Sequence, residues 1–170
     1  MNAYYQSFDT PAGRITAVCD DLSLWMLTWN SEPHQNHRVS RRLGLDKAVW
    51  KAQSHSVLNV TEQQLNEYFQ GKRRHFELPI RWRGSDFQKN VWGALQDIPY
   101  GHTISYAELA AAIGNPSAVR AVANANGANA LPIIIPCHRV IGSDGKLAGY
   151  TGGVDIKEAL LEVEGIYLPR

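Results

Sequence analysis

Cys137 and His138 are the adjacent side chains best suited to chemistry, and they lie in the run Ile133-Ile134-Ile135-Pro136-Cys137-His138-Arg139-Val140. The thiolate, not the thiol, is the nucleophile, and a nearby base or cation favours it. An imidazole is suited to take that proton near neutrality. Neighbours in sequence need not face each other, so an inert buried cysteine at the end of an element is an equally open reading. The run also predicts how the thiol is held. Three consecutive β-branched residues predict a short buried strand. Pro136 has no N–H to give a ladder, so the strand ends there and delivers Cys137 into a turn.

The totals narrow the chemistry. Only Cys19 and Cys137 are available as thiols, so there is no disulfide framework and no four-cysteine zinc site. The six histidines lack paired metal-ligand spacing, and neither a metal nor another cofactor is expected. No apolar run approaches the roughly 20 residues of a membrane helix, and Met1-Asn2-Ala3-Tyr4-Tyr5 lacks the basic-then-apolar pattern of a signal peptide. Free thiols suit a reducing cytosol, so the expected location is cytoplasmic, with no membrane partner. A net charge of +1 argues against a strongly electrostatic nucleic-acid binder but not against a modest one. Arg38/Arg41/Arg42 and Lys72/Arg73/Arg74 read as solvated faces.

Two domains are expected, residues 1–83 and 84–170. The fold class is α+β: a small β-rich N-terminal domain, then a mainly helical one with a helix-turn-helix and a short buried strand. Ala3 to Phe8, Arg14 to Cys19 and Leu24 to Trp29 predict an antiparallel meander, with Thr10-Pro11-Ala12-Gly13 and Asp20-Asp21 as turns. Glu32-Pro33 breaks the chain, and 38–45 predicts a helix. Leu58, Leu65, Tyr68 and Phe69 make a helical stripe stopped by Gly71.

In the second half, Ser85-Asp86-Phe87-Gln88 and Ser105-Tyr106-Ala107-Glu108 are capping boxes. Asn115-Pro116 predicts a cap and first residue for a helix running to about Asn126. Asp155 predicts the cap of a last helix ending near Glu164 and Gly165. The pair beginning at Ser105 and Asn115 is a helix-turn-helix candidate. Its second helix carries Arg120 as its one long donor, whereas major-groove readers present several. Two readings stand. Ala118, Ala121 and Ala125 pack against protein, or they admit the helix to a minor groove with Arg120 inserted into the base stack.

The Ile133–Val140 run resembles the active-site signature of the methylated-DNA–protein-cysteine methyltransferases, which repair guanine alkylated on its exocyclic oxygen. Ser105–Ala110, Gly114-Asn115-Pro116, Arg120-Ala121-Val122, Asn129, Gly149-Tyr150-Thr151-Gly152-Gly153 and Lys157-Glu158 resemble it too, in order. The resemblance is strong over about 84–168 and weak in the first domain. It implies that Cys137 accepts the alkyl group once and irreversibly. His138 would draw off the thiol proton through a water, and Glu164 would orient His138. Asn129 would brace the helix-turn-helix against the active-site segment. Tyr106 would help rotate the lesion out and protonate the leaving guanine. Arg120 would fill the gap left by the flipped nucleotide, and Ala118, Ala121 and Ser143 would lie against DNA. Val140, Tyr150 and Thr151 would wall the alkyl pocket. The implied partner is duplex DNA containing alkylated guanine, met through its minor groove by a monomer of the stand-alone constitutive type. Cys19 alone cannot supply the zinc site that some relatives carry in the first domain. A non-catalytic lesion-binding module is the alternative. A Cys–His hydrolase is a third class, and it would need an oxyanion hole.

Overall fold

The computed structural model describes residues 1–31, 37–147, 149–150 and 152–170. Two compact units make up the chain, Met1–Gly84 and Ser85–Arg170.

In the first unit β1 (Asn2–Thr10), β2 (Gly13–Cys19) and β3 (Leu24–Trp29) form the expected antiparallel meander. The Thr10 hydroxyl accepts from the N–H of Ala12 and Gly13 at 3.2 and 3.1 Å, which closes the first hairpin. Asp20 closes the second by accepting from Leu22 and Ser23 N–H. After α1 (His37–Arg42), β4 (Val49–Lys51) joins the sheet, giving the order β3-β2-β1-β4. It runs parallel to β1, so the sheet is mixed rather than wholly antiparallel. β4 is three partly exposed residues in a polar stretch, and only its pairing with β1 makes it a strand. α1 stops short of the predicted span, and Leu43 and Leu45 are buried in the turn beyond it. α2 (Ser56–Phe69) packs on β1 and β2 and buries Leu58, Leu65 and Tyr68. The predicted break at Glu32-Pro33 lies outside the described residues.

In the second unit both capping boxes form. Ser85 and Gln88 exchange bonds at the start of α3 (Asp86–Gln96). Ser105 and Glu108 do so at the start of α4 (Tyr106–Ala112), just after β5 (Ile104–Ser105). α5 (Val119–Gly127) completes a helix-turn-helix connection and packs on α3 and α4. Trp92 of α3 donates its indole N–H to the Ala125 carbonyl at 2.9 Å, locking α5 in place. A 3-10 turn (Cys137–Arg139), β6 (Val140–Ile141) and α6 (Val154–Val163) follow. β6 pairs in parallel with β5.

Three expectations are corrected here. Ile133–Ile135 is a turn, not a strand: Ile133 has φ +73° and the Ile135 N–H bonds the Leu131 carbonyl. Its backbone is satisfied by the Asn129 side chain, which donates to the Ile135 carbonyl at 2.8 Å and accepts from Leu131 N–H at 2.9 Å. The short buried strand lies after the cysteine instead, at Val140–Ile141. α5 begins at Val119 with Ala118 as its cap, because Asn115 to Ala118 close a turn of their own. α6 begins after Gly153 with no side-chain cap, and Asp155 sits inside its first turn, bonded to Arg170. Among the described residues no helix is long and apolar enough to cross a membrane.

Candidate active site

The site is built where the turn after α5, the 3-10 turn and the end of α6 meet. Cys137 is the first residue of the 3-10 turn and is buried. Asn129 holds the segment before it, and Asn126 of α5 donates to the Cys137 carbonyl at 3.4 Å. These amides tie the helix-turn-helix to the cysteine through backbone groups. Burial pushes the Cys137 thiol above its ordinary range. Hydrogen bonding to Asn129, the Lys157 charge and hydrogen bonding to Tyr150 pull it partly back. At rest the thiol therefore keeps its proton, and a base is needed.

His138 is fully buried. Its Nε2 lies 2.6 Å from Glu164 Oε2. Burial alone would raise the Glu164 carboxyl, but His138, Arg139 and the Gly101 N–H hold it down at about 2. An ionised carboxylate can only accept, so Nε2 must carry the proton in this bond. In the neutral imidazole that leaves the lone pair on Nδ1, which is buried and makes no hydrogen bond. Burial lowers the His138 pKa, Glu164 opposes this, and Arg139 and Lys157 reinforce it; the net direction is down. The neutral, proton-accepting form is thus favoured. Glu164, which the sequence leaves open to a surface reading, has a fully buried side chain at the C-terminal cap of α6.

Tyr106, first residue of α4, is partly buried. Its phenol is raised by burial and by the charge of nearby Cys137, with Asn126 opposing. It stays protonated and can donate. Tyr150 is partly buried, and Thr151 lies outside the described residues. Val140 is fully buried, and its carbonyl accepts from Lys157 Nζ at 2.6 Å.

α5 divides the two readings of its alanines. Ala125 is buried, Ala118 is half-buried and Ala121 is exposed. Arg120 is also exposed, and among the described residues it makes no hydrogen bond or ion pair. The outward face of α5 is a surface of small side chains with one free guanidinium. Ser143 is exposed on the Gly142–Gly145 turn, closed by Gly145 N–H to the Gly142 carbonyl.

Two charged residues at the site were not singled out from the sequence. Arg139 forks onto Glu164, with Nε to Oε1 at 2.9 Å and Nη2 to Oε2 at 3.2 Å. Lys157 is fully buried, and burial brings it down to about 8 against the pull of Cys137. A signal for Lys157 existed: it lies at helical spacing from buried Leu160 and Leu161, on the inward face of α6. Arg139 gave none, because a basic residue beside a turn is ordinarily solvated.

Comparison with known proteins bears on both units. Residues 86–166 match the family model described as 6-O-methylguanine DNA methyltransferase, DNA binding domain. Residues 3–82 match that family's ribonuclease-like domain. The chain is 59% identical over 161 residues to the methylated-DNA–protein-cysteine methyltransferase of Methanosarcina barkeri, covering 95% of this chain and 96% of that one. It is 41% identical to the constitutive protein of that name from Bacillus subtilis, covering 96% of each. Among solved structures it resembles the Mycobacterium tuberculosis OGT in complex with DNA. That match has a TM-score of 0.82 and 41% identity, over 98% of this chain and 95% of that one.

Proposed function

The chain belongs to the methylated-DNA–protein-cysteine methyltransferase family, and from that premise we propose that it repairs guanine alkylated on its exocyclic oxygen in duplex DNA, moving the alkyl group onto Cys137. The carrying observation is the proton path. Cys137 rests as a buried thiol next to His138, whose Nε2–H is fixed on ionised Glu164 and whose Nδ1 lone pair is unused.

The target carbon is out of reach inside a stacked duplex, so the nucleotide is rotated out, at a cost of a few kcal/mol. Exposed Arg120, on a helix face smooth enough to approach a groove, fills the gap it leaves. Ala118, Ala121 and Ser143 lie along the DNA. Val140, Tyr150 and Thr151 wall the pocket. The thiol proton passes through a water to His138 Nδ1. The sulfur electron pair then forms the S–C bond while the C–O bond breaks. Tyr106 protonates guanine as it leaves, sparing it a full negative charge. The imidazolium proton restores the tyrosine through solvent, so the balance is thiol plus alkylguanine giving thioether plus guanine.

A thioether cannot be exchanged by a second thiol, so each molecule turns over once. Residues 84–170 carry DNA binding and transfer, and residues 1–83 support them. The protein acts as a monomer in the cytoplasm and uses no metal or cofactor.

The test is stoichiometry on a duplex carrying one methylated guanine. One methyl group lost from DNA per protein, and none with Cys137→Ser, is the expected result. Repeated turnover, or transfer by the serine variant, overturns the reading.

A further inference from the structure

Glu164 accepts from more donors than His138 requires. Besides the imidazole, its carboxylate takes Arg139 Nε at 2.9 Å, Arg139 Nη2 at 3.2 Å and the Gly101 N–H at 2.9 Å. Arg139 is itself fixed. Its Nη1 donates to the Ile98 carbonyl at 2.7 Å, and its guanidinium lies 5.7 Å from the Tyr100 ring centre. Tyr100 in turn donates its hydroxyl to the Val163 carbonyl at 3.1 Å. The guanidinium side chain is only 7% exposed. A buried cation aligned this closely exceeds what is needed to tie the end of α6 to residues 98–101, because Gly101 and Tyr100 already do so.

We propose that Arg139 is a positioning residue for the transfer: by neutralising Glu164 in a two-pronged pair, it keeps His138 a neutral base able to take the Cys137 proton. The proposal rests on the alkyl-transfer reading for its kinetic consequence, but not for its electrostatics.

An imidazole bonded to a lone buried carboxylate is drawn toward imidazolium, because an opposite charge within a few Å favours the charged form. An imidazolium has no lone pair, and the thiol proton would have no acceptor. With Arg139 in place, Glu164 and Arg139 sum to zero charge, and His138 faces a dipole rather than a bare anion. The other groups facing His138 do not undo this. Lys157 from α6 disfavours a second cation, and Cys137 rests as a thiol. α3 packs on the 3-10 turn with only Val91, Trp92 and Leu95 buried. Burial, Arg139 and Lys157 all press His138 downward against Glu164.

The experiment follows transfer to Cys137 from a free alkylguanine base as a function of pH, so that DNA binding plays no part. It is paired with NMR titration of the His138 ring in the whole chain. The variants are Arg139→Gln, which removes the charge, and Arg139→Lys, which keeps it without the fork. In Arg139→Gln the rising limb of the rate profile and the His138 titration should both move to higher pH by about one unit or more. The rate near neutrality should then fall roughly 10-fold and recover at high pH, with Arg139→Lys lying between. A uniform loss at every pH with an unmoved His138 titration would make Arg139 a tie and nothing more. If Arg139→Gln does not fold, the unsubstituted protein still decides: His138 must be neutral at pH 7 with its proton on Nε2, and an imidazolium there overturns the proposal. Should the unsubstituted protein transfer no alkyl group, the functional reading fails while the ring titration still tests the charge balance.

Discussion

Replacing Glu164 by Gln removes one charge and keeps the shape, so its cost can be worked from the site. The carboxyl is held at about 2 in the fold against an ordinary 4.5. That difference corresponds to about 3 kcal/mol of stability at neutral pH. Because the folded pKa is depressed, this stability is present above the unfolded pKa and is lost as pH falls from about 4.5 toward 2. The glutamine also leaves Arg139 buried beside a neutral amide, and stripping one partner from a buried pair costs about 3–5 kcal/mol. The two figures overlap, since both count the same attraction, so the expected loss is about 3–5 kcal/mol and not their sum. The amide can also present its oxygen or its NH2 to Nε2, so the His138 tautomer is no longer fixed. Transfer should slow by ~10²-fold or more, in the range for losing an oriented base. The assay is urea unfolding read by amide hydrogen exchange at Leu160 and Leu161 in α6, with Val18 in β2 as an internal reference. The first pair should lose protection and the reference should not. A loss under about 1 kcal/mol, or an acid transition between pH 4.5 and 2 that persists in the variant, would refute the charge assignment.

Asn129→Ala orphans the Ile135 carbonyl and the Leu131 N–H, both buried. At about 1–3 kcal/mol for each unsatisfied group, thermal unfolding should show a loss of about 2–5 kcal/mol, and an unchanged melting temperature would remove Asn129 from its bracing role. Arg120→Ala touches no packed group, so stability should hold. Repair in duplex should fall at least about 10-fold while transfer from free alkylguanine stays level, because flipping costs a few kcal/mol only in the duplex. Equal losses on both substrates would count against the gap-filling role.

What could be read from the chain depended on whether the signal was local. Ser85 with Gln88 and Ser105 with Glu108 are capping boxes whose whole mechanism spans four residues, and both form. The Thr10–Gly13 and Asp20 turns were legible for the same reason. The Ile133–Ile135 run misled because β-branched residues fit any crowded interior. What makes it a turn is Asn129, whose side chain replaces the ladder a strand would need. Asn115-Pro116 carried a helix-start signal, but the peptide closes on itself through Ala118 before α5 begins. β4 exists only by its pairing with β1, a contact across more than forty residues. At the site, Cys137 and His138 were visible as chemistry, yet the charges around them were not. Nothing local says that Arg139, Lys157 and Glu164 all face inward.

The central claim is that Cys137 is the group that ends up alkylated. The direct measurement is mass spectrometry of the whole chain and of its Cys137 peptide after incubation with a duplex containing methylated guanine. The account predicts one added methylene per molecule, located on Cys137 and absent from Cys19, whose thiol burial pushes up to about 12. An unmodified Cys137 alongside repaired DNA, or a methylene found on any other residue, would contradict it.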